Sequence, residues 1–144
     1  MNRRMTTYIL GRMLGVEAAV LLIPALVSVI YGEEGWKAFL LTSAILVLLY
    51  VLLGRRKPED STIYGKDGFI IIACAWILWS VFGALPFYIS GEIPSFVDSL
   101  FETVSGFTTT GASILPQVEN LSHSTLLWRC FTHWVGGMGV LVFL

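Results

Sequence analysis

Apolar residues gather into four long runs, Met13 to Tyr31, Trp36 to Leu53, Gly68 to Ile89 and Leu126 to Leu144, with short polar stretches between the first three. A bilayer hydrocarbon core of about 30 Å takes about 20 helical residues to cross, and each run approaches that length. The chain is therefore expected to place four helices at membrane depth. The first run follows Arg3 and Arg4 as the core of a secretory signal would, but it is too long for one and meets no small-residue cleavage site before the next span. It reads as a retained helix.

The stretch from Ser90 to Leu127 is too apolar for a solvated loop and too interrupted for a span. Ser95 followed by Asp98 is a capping-box pattern, with the Ser95 hydroxyl accepting a backbone bond and Asp98 reaching back. Phe96, Val97, Leu100, Phe101 and Val104 then fall on one helical face, and Gly106 suits the left-handed residue that ends a helix. The spacing predicts a helix over 95–105 of about eleven residues, roughly 16 Å long, about half a bilayer. Such a helix enters a membrane without crossing it.

Phe107-Thr108-Thr109-Thr110-Gly111-Ala112-Ser113 comes next, and three successive β-branched threonines favour an extended chain. Non-helical backbone survives at membrane depth only where protein buries it or where it lines a watery cavity. Carbonyls and hydroxyls from Thr108 to Ser113 then suit the replacement of a cation's hydration shell, with Gly111 supplying backbone freedom and the negative end of the short helix's dipole facing the same place. On spacing alone, an ordinary extracellular cap with Gly111 as a turn residue reads equally well. The order of parts favours the filter: outer helix, half-helix, extended Gly-containing strand and inner helix make the unit of pore-loop cation channels.

Charge sets orientation and narrows function. Arg3, Arg4, Arg55, Arg56, Lys57 and Lys66 flank the first hairpin's ends, whereas Ser90 to Leu127 holds Glu92, Asp98, Glu102 and Glu119 but no Lys or Arg. Basic flanks mark the cytoplasmic side, so the N-terminus is expected inside and the half-helix outside. A net charge of -1 with scattered basic residues excludes a nucleic-acid footprint. Cys74 and Cys130 lie in separate apolar runs, without zinc or disulfide spacing. No GxSxG, HExxH or P-loop pattern occurs and the two histidines are far apart in sequence, so no enzyme is indicated.

Two motifs in order, Asp98-Ser-Leu-Phe-Glu-Thr-Val-Ser-Gly-Phe-Thr-Thr-Thr-Gly-Ala-Ser113 and Trp128-Arg-Cys-Phe-Thr-His-Trp-Val-Gly-Gly-Met-Gly139, resemble the first pore-loop repeat of TrkH- and TrkG-type potassium uptake proteins, in the Trk/Ktr/HKT superfamily of cation transporters. The resemblance is densest from Leu85 onward, and the two leading spans resemble the extra hairpin that Trk-type members carry and Ktr-type members generally lack. It implies an all-α membrane protein: an N-terminal hairpin over 1–57, a cytoplasmic linker over 58–67 and a pore-loop repeat over 68–144. Within the repeat, an outer helix over 68–89, a pore helix over 95–105, a filter strand over 107–113 and an inner helix over 126–144 are expected.

The resemblance further implies potassium uptake across a bacterial inner membrane, with K⁺ as transported ion and ligands at Thr109, Thr110 and Gly111 within a filter of Thr108 to Ser113. No cofactor in this chain, a cytosolic nucleotide-binding Trk-A-type subunit and a homodimer of the full-length protein also follow from it. Four repeats surround one pore in the family and this chain holds one, so the chain is expected to be the N-terminal portion of a longer protein. A non-conducting scaffold or sensor domain, and a Na⁺-permeable relative, stand as alternatives.

Remaining polar residues read as support. Ser95, Asp98 and Glu102 are expected to cap the half-helix and concentrate cations at the entrance. Arg129 is expected to brace Glu102 or Asp98 behind the filter, and His133 to sit near the same helix end. Gly136, Gly137 and Gly139 are expected to pack helices closely. Arg12 and Glu17 read as interfacial, and Trp36, Trp76, Trp79, Trp128 and Trp134 as belt and packing residues.

Overall fold

The structure is a computed structural model that describes residues 3–55, 58–59 and 64–143. Arg56, Lys57, much of the expected linker and Leu144 lie outside the described residues. The order is α1 (Arg3–Ile30), α2 (Trp36–Leu49) prolonged by a π-helical turn (Tyr50–Gly54), α3 (Gly65–Ser90), α4 (Phe96–Phe107), a 3₁₀ turn (Val118–Asn120) and α5 (His123–Phe143). Among the described residues there is no strand.

The leading helices form an antiparallel pair whose closest approach is set by glycine. A Cβ on Gly11 would come within 2.8 Å of the Gly54 Cα, so the two backbones touch where the π turn lets α2 run on to its end. Beside this contact Arg12 donates to the Tyr50 hydroxyl at 3.1 Å and lies over its ring, at an exposed position. Ser43 on α2 donates to the Ala18 carbonyl of α1 at 2.9 Å, so a polar group at membrane depth finds a partner across the helix pair.

Helix α3 stops where Gly91 takes a left-handed conformation (φ 79°), its N–H returning to the Tyr88 carbonyl. The short connection then sends α4 back down beside α3. Leu14, Leu21, Phe39, Leu46, Phe87, Phe107 and Trp128, drawn from all five helices, make the buried core. Phe107, at the end of α4, lies at its centre: the rings of Trp76, Trp79 and Trp128 approach it edge-on at 6.2, 5.8 and 6.5 Å.

Among the described residues three helices are long and apolar enough to cross a membrane: α1, α2 with its π turn, and α3. They leave Leu22, Leu26, Ile30, Leu52, Phe69 and Ile77 exposed, which bilayer or further protein would cover. Four apolar spans were expected. Helix α5 has 21 residues, about 31 Å, but it carries Ser124, Thr125, Arg129, Thr132 and His133. Ser124 and Thr125 bond to acidic residues of the loops, Arg129 to Glu102 of α4, and Thr132 and His133 to the Arg129 carbonyl of their own helix; the helix begins at His123, before the expected Leu126.

Candidate ion-filter segment

Ser95 takes the extended backbone of an N-cap (φ −90°, ψ 126°) and its hydroxyl accepts from the Asp98 N–H at 3.4 Å. Only that half of the capping box forms; among the described residues the half-buried Asp98 carboxylate makes no return bond. The helix spans 12 residues, about 18 Å, so it is a half-length element beside α3 and α5.

Its end differs from the sequence expectation. Gly106 does not terminate the helix: it is buried inside it, and a Cβ there would come within 2.8 Å of the Thr132 Cβ on α5. The glycine is needed for the approach of two helices. The left-handed residues come later, at Thr109 (φ 56°) and Gly111 (φ 76°). A β-branched residue is rarely left-handed, and a departure of this kind costs about 1–3 kcal/mol, so the surrounding bonds must hold Thr109 there.

Those bonds run from the loop to the helix it has just left. The N–H groups of Thr108, Thr109 and Thr110 donate to the carbonyls of Val104, Gly106 and Ser105, each at 2.9 Å, and the Gly111 N–H reaches Ser105 at 3.4 Å. The Ser105 hydroxyl donates to the Ala112 carbonyl at 2.6 Å, and the Thr109 hydroxyl to the Thr108 carbonyl at 2.7 Å. The carbonyls of Thr109, Thr110 and Gly111 accept nothing among the described residues, and Thr108 to Ile114 are all exposed. Donors are turned in; a row of free acceptors is left.

The far end of the loop hangs on Glu102. Its carboxylate accepts from the Ser113 hydroxyl at 3.0 and 3.1 Å and from the Ile114 N–H at 3.1 Å, and Arg129 Nε donates to it at 2.5 Å. The Ser113 hydroxyl in turn accepts from the Leu115 N–H at 3.1 Å. Glu102 is thus no open entrance carboxylate: its side chain is 1% exposed and its charge is matched by Arg129, 16% exposed. The expected brace between Arg129 and the half-helix is present. His133 Nδ1 lies 2.9 Å from the Arg129 carbonyl.

Glycines of α5 fit the loop from behind. A Cβ on Gly136 would overlap the Phe107 carbonyl, and one on Gly139 would lie 3.0 Å from the Trp76 ring. Gly137 does not pack closely as expected; a Cβ there would meet only the Thr109 methyl, at 3.9 Å.

Two acidic residues from distant loops hold the start of α5. Glu92 accepts from the N–H and hydroxyl of Ser122, at 3.1 and 2.5 Å, and from the Thr125 hydroxyl at 3.1 Å. Glu33, between α1 and α2, accepts from the N–H groups of His123 and Ser124 at 2.7 and 3.2 Å and from the Ser124 hydroxyl at 2.8 Å. The His123 ring is 2.9 Å from Glu33 and stacks on Tyr31 at 4.1 Å. Burial works to raise the Glu33 pKa, but the bonds from His123 and Ser124 outweigh it and hold the carboxyl below its ordinary value. These partners lie about 90 residues apart, so no local pattern announces them. Among the described residues no His, Cys, Asp and Glu cluster that could hold a metal ion occurs.

A half-length helix that returns through a hydrogen-bonded loop between two long helices defines an all-helical membrane protein with a re-entrant segment. The family model described as a cation transport protein, TrkH, matches residues 35–144, and the chain belongs to that family. It is 35% identical over 144 residues to the Trk system potassium uptake protein TrkG of Escherichia coli, covering 96% of this chain and 29% of that protein. An uncharacterized cation transporter of Methanocaldococcus jannaschii is 36% identical over 136 residues, covering 94% of this chain and 28% of the relative. The crystal structure of the potassium transporter TrkH from Vibrio parahaemolyticus superposes with a TM-score of 0.88 at 32% identity, over 99% of this chain and 31% of that one. The chain thus spans under a third of the length of these relatives.

Proposed function

We propose that this chain supplies one side of a potassium-conducting pore in a longer transporter, with Thr109, Thr110 and Gly111 as ion ligands. The observation that carries the reading is the set of unengaged carbonyls at these three residues, on a loop whose amides from Thr108 to Gly111 are turned onto α4. Cation selectivity needs such oxygens held in fixed places, and the Glu102–Arg129 pair with Ser105 and Ser113 provides the fixing. Ala112 and Ser113 belong to that support, because the Ala112 carbonyl and the Ser113 hydroxyl already carry hydrogen bonds within the chain. Thr108 closes the turn, its hydroxyl 2.7 Å from the Val104 carbonyl.

The 12-residue α4 points the negative end of its dipole at the same loop, which favours a cation there. In this reading the half-helix faces outside, the N-terminus lies in the cytoplasm and the membrane is a bacterial inner membrane. A cytosolic nucleotide-binding Trk-A-type subunit and a second copy of the full-length chain complete the assembly. Names of the relatives, Trk system potassium uptake proteins among them, support potassium as the cargo.

Gly111→Ser in the full-length protein tests it. A left-handed glycine with open space around it accepts a serine only with backbone strain, so carbonyl alignment should suffer while insertion does not. Rb⁺ uptake should lose its preference over Na⁺ at normal membrane abundance. Unchanged uptake and selectivity would favour the scaffold or sensor reading.

A further inference from the structure

Glu17 reads as interfacial in the sequence, and the structure contradicts this. It is the fifteenth of the 28 residues of α1, at mid-helix, and its relative exposure is 0%. Neither carboxyl oxygen has a hydrogen-bond partner among the described residues. The group sits where three helices converge: a Cβ on Gly83 of α3 would be 3.4 Å from Glu17 Oε1, 3.0 Å from the Thr103 methyl and 3.2 Å from the Phe107 ring. Trp79, one turn earlier on α3 and packed against Phe107, has its indole N–H buried and likewise unpartnered.

We infer that Glu17 is a proton-binding site, held as the neutral carboxylic acid against the last turn of α4. An isolated carboxylate taken from water into such surroundings is too costly to persist, so the group takes up a proton instead. Among the described residues no cation is placed to compensate it: Arg3, Arg4 and Arg55 are exposed near their helix ends, and the others are engaged or placed elsewhere. Arg12 of the same helix lies on Tyr50, Lys37 of α2 pairs with Glu34, and Arg129 of α5 pairs with Glu102. His133 contacts the Arg129 carbonyl and His123 contacts Glu33. On α3, Lys66, Asp67 and Cys74 lie more than two turns before Gly83, and on α4 Asp98 and Glu102 add only negative charge.

Glu17 is enclosed by residues of this chain, with none of its surface left open. Protonation here bears on the candidate filter, because Phe107 directly precedes the threonine run and shares the Gly83 layer with Glu17.

Infrared spectroscopy of the full-length protein in lipid vesicles at pH 7 tests the site, at a pH where a solvated glutamate (pKa about 4.3) is ionised. Subtracting the Glu17→Gln spectrum should reveal the carbonyl stretch of one protonated carboxylic acid. A difference showing loss of a carboxylate stretch instead overturns the inference. Should the Gln variant not assemble, Glu17→Asp keeps the group: a shifted acid band supports the site and a shifted carboxylate band overturns it. The readout involves no transport, so it stands or fails separately from the potassium reading.

Discussion

Glu102 concentrates the support of the loop in one side chain. It holds Ser113 and Ile114 on one side and Arg129 on the other, with almost no solvent around it. Breaking a buried pair by neutralising one partner typically costs about 3–5 kcal/mol, because the other charge is stranded. Glu102→Gln should therefore lower the detergent melting temperature well below that of Asp98→Asn, whose carboxylate makes no bond among the described residues; equal melting temperatures would show that the pair is not stabilising. Thr109 gives the opposite expectation. Its left-handed backbone is strained by its β-branch, so Thr109→Gly should gain about 1 kcal/mol in thermal unfolding while removing the hydroxyl that closes on Thr108. Glu33 adds a pH signature. Its folded-state pKa is depressed, so its contribution is present above the unfolded value and is lost as pH falls through the folded one. The melting-temperature gap between the parent and Glu33→Gln should close on going from about pH 6 to about pH 3.

Helices α4 and α5 meet through glycine, and the contact can be dissected. A methyl on Gly136 would collide with the Phe107 carbonyl, whereas one on Gly137 would find open space near the Thr109 methyl. Overpacking against backbone costs about 1–3 kcal/mol, so Gly136→Ala should destabilise the fold by that amount and Gly137→Ala should be nearly silent, as read by denaturant or thermal unfolding. The sequence showed the first element boundary here and not the second. Ser95 starts α4 because capping is a local matter of a hydroxyl and an N–H three residues on. Gly106 reads as a helix end in sequence because the same residue type serves a turn or a close approach, and only Thr132, distant in sequence, decides between them. The first three spans were legible because length and apolar content are summed over whole helices. Glu17 and the Glu33 and Glu92 clasps were not, since each depends on partners brought together by folding.

Across the molecule, the leading hairpin is fastened to the unit that carries the loop. Glu33 reaches from the α1–α2 connection to the start of α5, Glu17 packs into the Gly83 layer behind α4, and Phe107 joins α3, α4 and α5. The exposed face of Thr108 to Ile114 is open to further protein, and the chain spans under a third of the length of its relatives. In the proposed filter, monovalent cations sit on the free carbonyls of that face. Anomalous diffraction from crystals of the full-length protein soaked in Rb⁺ or Tl⁺ tests it most directly. Peaks in contact with the carbonyls of Thr109, Thr110 and Gly111 are the predicted result; ions bound in the protein but away from these three residues would contradict it.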